Sequence, residues 1–292
     1  MKMRWIFFIF FTVATNTLIN FDAYAQSLSD ISISSEVIPQ GGICLISTRN
    51  DGDVPPDVDW LDGKVYLNKS SDGRFFQGFI STDLTDEPGM YQLTVKAPSG
   101  DYERIFDIEV IAKEYGERRL TLPDKQVDLD DETWKRVQKE MAVVSALWEA
   151  PVLMPQWTLP FQIPVQGEIV GSFGRKSFIN GQLRSPHTGV DLRGASGTPV
   201  KAANHGVVVL TADHYFTGNS IMVDHGGEVF SMYFHLDAIH VKKDDNISRG
   251  QVIGLVGSTG RATGPHLHWG MRIKNARIDP LMLVDLSKEL ER

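Results

Sequence analysis

The chain has 292 residues, of which 42% are hydrophobic, 23% charged and 10% aromatic. That composition excludes a mostly disordered chain, and at roughly 150 residues per domain the length points to two domains. The formal charge of −8 excludes a basic nucleic-acid-binding chain, and a single cysteine, Cys44, excludes an intramolecular disulfide framework or a Cys-only zinc module.

Residues 1–25 read as a secretory signal peptide. Lys2 and Arg4 form a positive start, residues 5–14 are apolar, and Ala23-Tyr24-Ala25 offers small residues for cleavage before Gln26. The apolar run is short for a bilayer span, which needs about 20 residues, so the mature chain is expected to be exported without a membrane span. Charge then divides it. Residues 26–159 carry 13 basic and 24 acidic side chains, net −11, whereas residues 160–292 carry 14 and 12, net +2. Such an asymmetry predicts a boundary near residue 160.

Residues 26–117 alternate short apolar stretches with turn signals. Ile31 and Ile33 alternate with polar residues, Pro39-Gln40-Gly41-Gly42 turns into residues 43–47, and Asp62-Gly63 marks a hairpin between Trp60 and Val65. Tyr91, Leu93 and Val95 share one strand face, as do Phe106, Ile108 and Val110. About seven short strands predict a β-sandwich, immunoglobulin-like in outline but without a cysteine pair. Cys44 falls inside a strand and reads as a buried, inert thiol.

Residues 118–160 read as a linker, of which 118–130 look structureless and about 131–148 helical. Trp134, Val137, Met141, Val144 and Trp148 recur at spacings of three and four, one apolar stripe expected to pack on a neighbouring domain. Asp130 or Asp131 can cap the helix, and Pro151, Pro155, Pro160 and Pro164 prevent its continuation. Residues 161–292 return to short strands, clearest at 207–210, 220–223, 229–234, 252–256 and 267–273. They predict an antiparallel, β-rich domain with almost no helix.

All eight histidines lie in this last part, between His187 and His268. His187 and Asp191 are four positions apart, and His266 and His268 two apart. On a strand, positions i and i+2 share a side, so His266 and His268 face one groove, about 7 Å apart by rise alone. Imidazole and carboxylate are both zinc ligands, and three protein ligands with an open fourth position are the pattern of a catalytic zinc. His187, Asp191 and one of His266 and His268 would supply those ligands; the other of that pair and His235 would remain for proton transfer. No glutamate stands in a His-Glu-x-x-His helix, which excludes thermolysin-like chemistry. His225, His205, His214 and His240 read as structural or solvated, Asn219 as a turn residue, and Arg175 as either a groove-lining or a surface arginine.

Residues 167–283 resemble the catalytic domain of lysostaphin-type (LytM-like) zinc endopeptidases of peptidoglycan. The resemblance rests on GSFGR at 171–175, HTGVD at 187–191, GNS at 218–220, VDHG at 223–226, YFHL at 233–236, GQVIGLVGSTG at 250–260 and TGPHLHW at 263–269, about 40% of the chain. It implies one zinc ion per catalytic domain, held by His187, Asp191 and His268, with His235 and His266 as the catalytic histidines in roles the sequence does not divide. It also implies peptidoglycan as substrate. The segments DLTDEPGMYQLTV at 83–95 and RLTLPDK at 119–125 resemble the immunoglobulin-like domain that precedes such peptidase domains in some bacterial proteins. With no identifiable wall-binding repeat or sorting signal, the expected location is the periplasm or cell envelope. The alternative expectation is a catalytically silent homologue that activates a cell-wall amidase or scaffolds division proteins; such members typically lose a metal-site residue, and all five are present here. The sequence names no protein partner.

Overall fold

The computed structural model describes residues 30–49, 52, 54–61, 63–100, 102–121 and 129–289. The signal peptide and its cleavage position therefore lie outside the described residues, as does Asp62 of the hairpin signal. No described helix is long and apolar enough to cross a membrane.

The N-terminal part is two sheets face to face. One carries Ile31–Ile33, Ile43–Arg49, Phe75–Ser81 and Asn68–Lys69; the other carries Val37–Pro39, Glu103–Ile111, Gly89–Lys96, Asp57–Trp60 and Gly63–Val65. Their alternating apolar residues meet in one core: Ile46, Ile80 and Cys44 from the first sheet, Val58, Leu93, Val95, Ile108 and Val110 from the second. Trp60 pairs with Gly63 across the hairpin. Cys44 is fully buried, its thiol donates to the Ser35 carbonyl at 3.2 Å, and burial pushes its pKa up, so it is inert.

Two segments differ from the sequence expectation around the connection. Glu117–Leu120, expected as linker from Arg118 onward, is a strand that pairs in parallel with Lys176–Ile179, which is itself hairpinned to Gln182–Arg184. The helix Asp131–Trp148 starts where Asp130 accepts a hydrogen bond from the Thr133 amide at 2.7 Å. Only part of its apolar stripe packs, at Val137 and Trp148. Val137 is 2% exposed, but Trp134 is 47% and Met141 59% exposed. Polar contacts hold the helix instead: Glu140 accepts from the Tyr215 amide at 2.9 Å and Arg136 donates to the Asp213 carbonyl at 3.0 Å. Trp148 meets Phe230 edge-on, with Arg272 over its ring.

The C-terminal part is built on a ten-stranded sheet with antiparallel pairing throughout. Its path runs Ile169–Gly171, Val190–Arg193, His266–Ile273, Val229–Ile239, Gly218–Asp224, Gly206–His214 and Asn246–Ile247. A second helix, Pro280–Glu289, was not expected. Asp279 caps it at the Leu281 amide, Pro280 opens it, and Leu283 and Val284 are fully buried. The two parts share a core. Ile43, Leu45 and Phe79 of the sandwich join Trp157, Phe161 and Phe173, and the Phe79 and Trp157 rings lie 4.8 Å apart. Across the same junction Arg277 donates to the buried Asp83 carboxylate from both its backbone amide, at 2.9 Å, and its guanidinium, at 2.8 Å.

Candidate active site

Strand register brings the expected residues together. Asp191 lies directly opposite His268 on paired strands, and Phe234 opposes His268 from the other side. His266 and His268 face one cavity, as their spacing predicts, and that cavity of about 320 Å³ is also lined by His187, Asp191, Phe234 and His235. His187 precedes its strand in an extended loop, fixed by its amide to the Arg175 carbonyl and by its own carbonyl to the Gly174 amide. The GSFGR segment thus forms a wall that holds His187.

Two glycines make room for the cluster. A Cβ at Gly171 would lie 2.1 Å from the Asp191 Oδ2, and one at Gly189 would meet the Trp269 carbonyl at 2.5 Å and His268 Nε2 at 2.7 Å. A side chain at either position would displace a site residue.

His235 is reached differently. In a regular strand, Phe234 and His235 would point to opposite sides. His235 instead has φ of 64°, a left-handed conformation rare for a side-chain-bearing residue. Its amide donates to the Thr217 carbonyl at 2.8 Å, and both Phe234 and His235 line the cavity. Thr259, in the GSTG turn, supplies the carbonyl that receives the His235 Nδ1–H at 2.9 Å, while its hydroxyl donates to the Leu236 carbonyl.

Three imidazoles share one tautomer. His187 Nδ1 donates to the Ser172 carbonyl at 2.8 Å, His235 Nδ1 to Thr259, and His266 Nδ1 to the Gly264 carbonyl at 2.8 Å. Each bond puts the proton on Nδ1 and leaves the lone pair on Nε2. His187 Nε2 lies 3.0 Å from both Asp191 Oδ1 and His268 Nδ1, and the latter two are 2.9 Å apart. This group of three could hold a metal ion. Ligands at zinc bond lengths of about 2.0–2.1 Å in a tetrahedron stand about 3.3 Å apart, close to the observed triangle. Two imidazoles and a carboxylate are also the donor set that zinc takes. The residues present therefore fit the ion.

The surroundings set the charges. Burial opposes the Asp191 carboxylate, but its bonds to His187 and His268 outweigh this and hold it far below the usual carboxylate range. Burial lowers the His268 pKa and brings that of His235 down to about 4, so His235 is neutral at physiological pH. The His235 and His266 rings lie 4.9 Å apart, and His266 Nε2 is 3.8 Å from Asp191 Oδ1.

The remaining sequence candidates lie elsewhere. His225 is buried between the His205 carbonyl and Ser231 Oγ, with its pKa lowered by burial to about 4; it is structural. Arg175 donates to the Glu117 carbonyl and does not line the cavity. The Asn219 amide is tied to Thr259 Oγ1. Among the lining residues the sequence did not single out are two arginines: Arg118, whose Nη1 is 3.9 Å from Asp191 Oδ2, and Arg261. No sequence signal marks either, because each arrives from a segment whose position is fixed only by folding.

A cleft in a β-sheet thus presents two histidines and an aspartate to one point, flanked by two further histidines, the arrangement of a metal centre in a β-rich domain. Residues 185–280 match Peptidase family M23. A crystal structure given as peptidase M23 from Pseudomonas aeruginosa is similar at 30% identity, with a TM-score of 0.65, over 85% of this chain and 95% of that one. The chain belongs to peptidase family M23. Among curated relatives, peptidoglycan DD-endopeptidase ShyA of Vibrio cholerae is 43% identical over 97 residues, 33% of this chain and 23% of that protein. DD-carboxypeptidase/endopeptidase Mpg of Neisseria meningitidis is 40% identical over 104 residues, 36% of this chain and 24% of that protein. The match thus spans about a quarter of the length of these curated relatives.

Proposed function

We propose that this chain is an exported zinc endopeptidase that hydrolyses peptide bonds in peptidoglycan. The observation that carries it is the convergence of His187, Asp191, His268, His235 and His266 on one cavity. We assign His187 Nε2, Asp191 Oδ1 and His268 Nδ1 to one zinc ion, and His235 and His266 to catalysis. Zinc bound there supplies Lewis acidity to the substrate carbonyl and to water. The protein residues do the rest. Asp191, held anionic, balances the ion's charge, and the Ser172 carbonyl fixes the His187 ring. His235 and His266, each with its lone pair on Nε2, accept the proton of the attacking water and return one to the leaving amine.

The relatives named as DD-endopeptidases favour the cross-link between stem peptides as the scissile bond. We place the mature enzyme, from residue 26, in the periplasm or envelope. We read residues 26–117 as an immunoglobulin-like domain, 118–160 as the connection and 161–292 as the peptidase domain. The test is mass spectrometry of isolated peptidoglycan treated with the purified mature chain, with zinc and with chelator. Zinc-dependent loss of cross-linked dimers, with new amino and carboxyl termini, is the expected result. Unchanged fragments would instead support the silent-activator reading.

A further inference from the structure

The helix Asp131–Trp148 reaches the catalytic cavity through a loop. Arg136 and Glu140 stand four positions apart and share one face of the helix. Arg136 Nε donates to Glu140 Oε1 at 2.6 Å, which holds the two side chains together. From that face Arg136 also donates to the Asp213 carbonyl at 3.0 Å, and Glu140 Oε2 accepts from the Tyr215 amide at 2.9 Å. The pair thus grips the backbone on both sides of His214. The Glu140 side chain is only 16% exposed, and an amide bonded to a carboxylate makes a charge-assisted bond, roughly twice as strong as a neutral one.

The gripped segment is a hairpin loop. His214 pairs with Gly218, which leaves Tyr215, Phe216 and Thr217 between the strands Gly206–His214 and Gly218–Asp224. Loop tips of this kind move unless something ties them down. This one carries part of the site. Phe216 and Thr217 line the catalytic cavity, and the Thr217 carbonyl accepts the His235 amide at 2.8 Å. His235 has φ of 64°, a costly conformation that persists only where its surroundings impose it. The Thr259 carbonyl holds its ring and the Thr217 carbonyl holds its backbone. The second support is only as firm as the loop that bears it, and Glu140 ties that loop at its first residue.

We propose that Glu140 is a positioning residue for the active site: by holding the Tyr215 amide, it fixes the loop whose Thr217 carbonyl keeps His235 turned into the cavity. The inference rests on the endopeptidase reading and goes beyond it, because it makes the helix of the connecting segment a working part of the peptidase. Glu140 touches neither substrate nor metal. It acts through two backbone hydrogen bonds in series, Glu140 to Tyr215 and Thr217 to His235.

The experiment compares the zinc-loaded mature chain with Glu140→Ala and Glu140→Gln on a soluble cross-linked stem-peptide dimer. Glu140→Ala removes the acceptor and is expected to lower kcat about 10–100-fold, the scale of a small misplacement of a reacting group, with KM changed less than about threefold. It should keep one zinc per chain and an unaltered circular dichroism spectrum. Glu140→Gln retains a carbonyl oxygen for the Tyr215 amide and is expected to stay within about threefold of the wild-type kcat. A second measurement does not need turnover: amide hydrogen exchange followed residue by residue. The Tyr215 and His235 amides are expected to exchange about tenfold or more faster in Glu140→Ala and at close to the wild-type rate in Glu140→Gln. That pattern in a chain that cleaves nothing would uphold the grip of Glu140 on His235 and count against the endopeptidase reading alone. Unchanged His235 exchange in Glu140→Ala, or a kcat within about twofold of an active wild type, would overturn the positioning role while leaving cleavage intact.

Discussion

At the residue scale, geometry sets the proposed zinc ligands apart from the proposed catalytic histidines. The donor atoms of His187, Asp191 and His268 touch one another, whereas His235 and His266 line the same cavity with their Nδ1 atoms bonded to backbone carbonyls and their Nε2 lone pairs left over. Two variants should therefore behave differently. His268→Ala is expected to lose the bound zinc, measured as metal per chain after dialysis, together with activity. His235→Ala is expected to keep one zinc per chain while its rate on peptidoglycan falls about 10²–10⁴-fold. Zinc retained in His268→Ala, or lost in His235→Ala, would reverse the assignment. Gly171→Ala places a methyl group against Asp191 Oδ2. It should leave the fold intact by circular dichroism but weaken zinc binding about 10–100-fold in competition with a chelator, the range typical of a displaced supporting group. Much of this was legible beforehand: the i, i+2 spacing of His266 and His268 gave their shared face, and the family resemblance chose between them. His235 was already set aside for proton transfer, but its turn into the cavity was not legible, because ordinary strand alternation would have pointed it and Phe234 to opposite sides.

At the element scale, the helix Asp131–Trp148 shows where periodicity is informative and where it misleads. Its start, its length and its cap follow from local sequence, because the Asp130 carboxylate satisfies an amide that the helix itself cannot. Its stripe, however, meets little apolar surface; the neighbouring strand end offers a backbone amide and carbonyl, which Glu140 and Arg136 take. Val137→Ala is therefore expected to cost about 2 kcal/mol, and Met141→Ala less than about 0.5 kcal/mol, both by chemical denaturation. Equal losses would mean that the stripe is buried in solution. The helix Pro280–Glu289 carried a signal that could have revealed it: Asp279 followed by Pro280 is a cap and a first-turn proline. The strand Glu117–Leu120 carried none, since its partner Lys176–Ile179 lies more than fifty residues away in sequence.

At the scale of the whole molecule, the two parts are welded by a common core and by the Asp83–Arg277 pair. A single cooperative unfolding transition is expected in scanning calorimetry; two well-separated transitions would contradict the shared core. The pair also makes stability depend on pH. Burial works against the Asp83 charge, but Arg277 outweighs it and holds the group at about 2, below its ordinary 3.8. A depressed carboxylate pKa stabilises the folded state fully above its unfolded value and loses that contribution as pH falls toward 2. The shift corresponds to about 1–2 kcal/mol once solvent around Arg277 is allowed for. The stability gap between the wild type and Asp83→Asn should therefore be widest above pH 4 and narrow toward pH 2, measured by denaturant unfolding. A gap independent of pH would show that the pair contributes nothing through its charge.

The sequence by itself determined what depends on neighbours along the chain: the β character of both parts, the capped helix, the alternation that points His266 and His268 one way, and the chemistry that His187, Asp191 and His268 can offer. Tertiary structure alone decided what depends on strands distant in sequence coming into register. It set Asp191 opposite His268, turned His235 into the cavity through a left-handed backbone held by Thr217 and Thr259, and drew Arg118 and Arg261 to the same cleft. The physical reason is range. Caps, turns and side-chain alternation act over a few residues, whereas the site is closed by pairings that span 77 residues between Asp191 and His268 and only form when the whole sheet does.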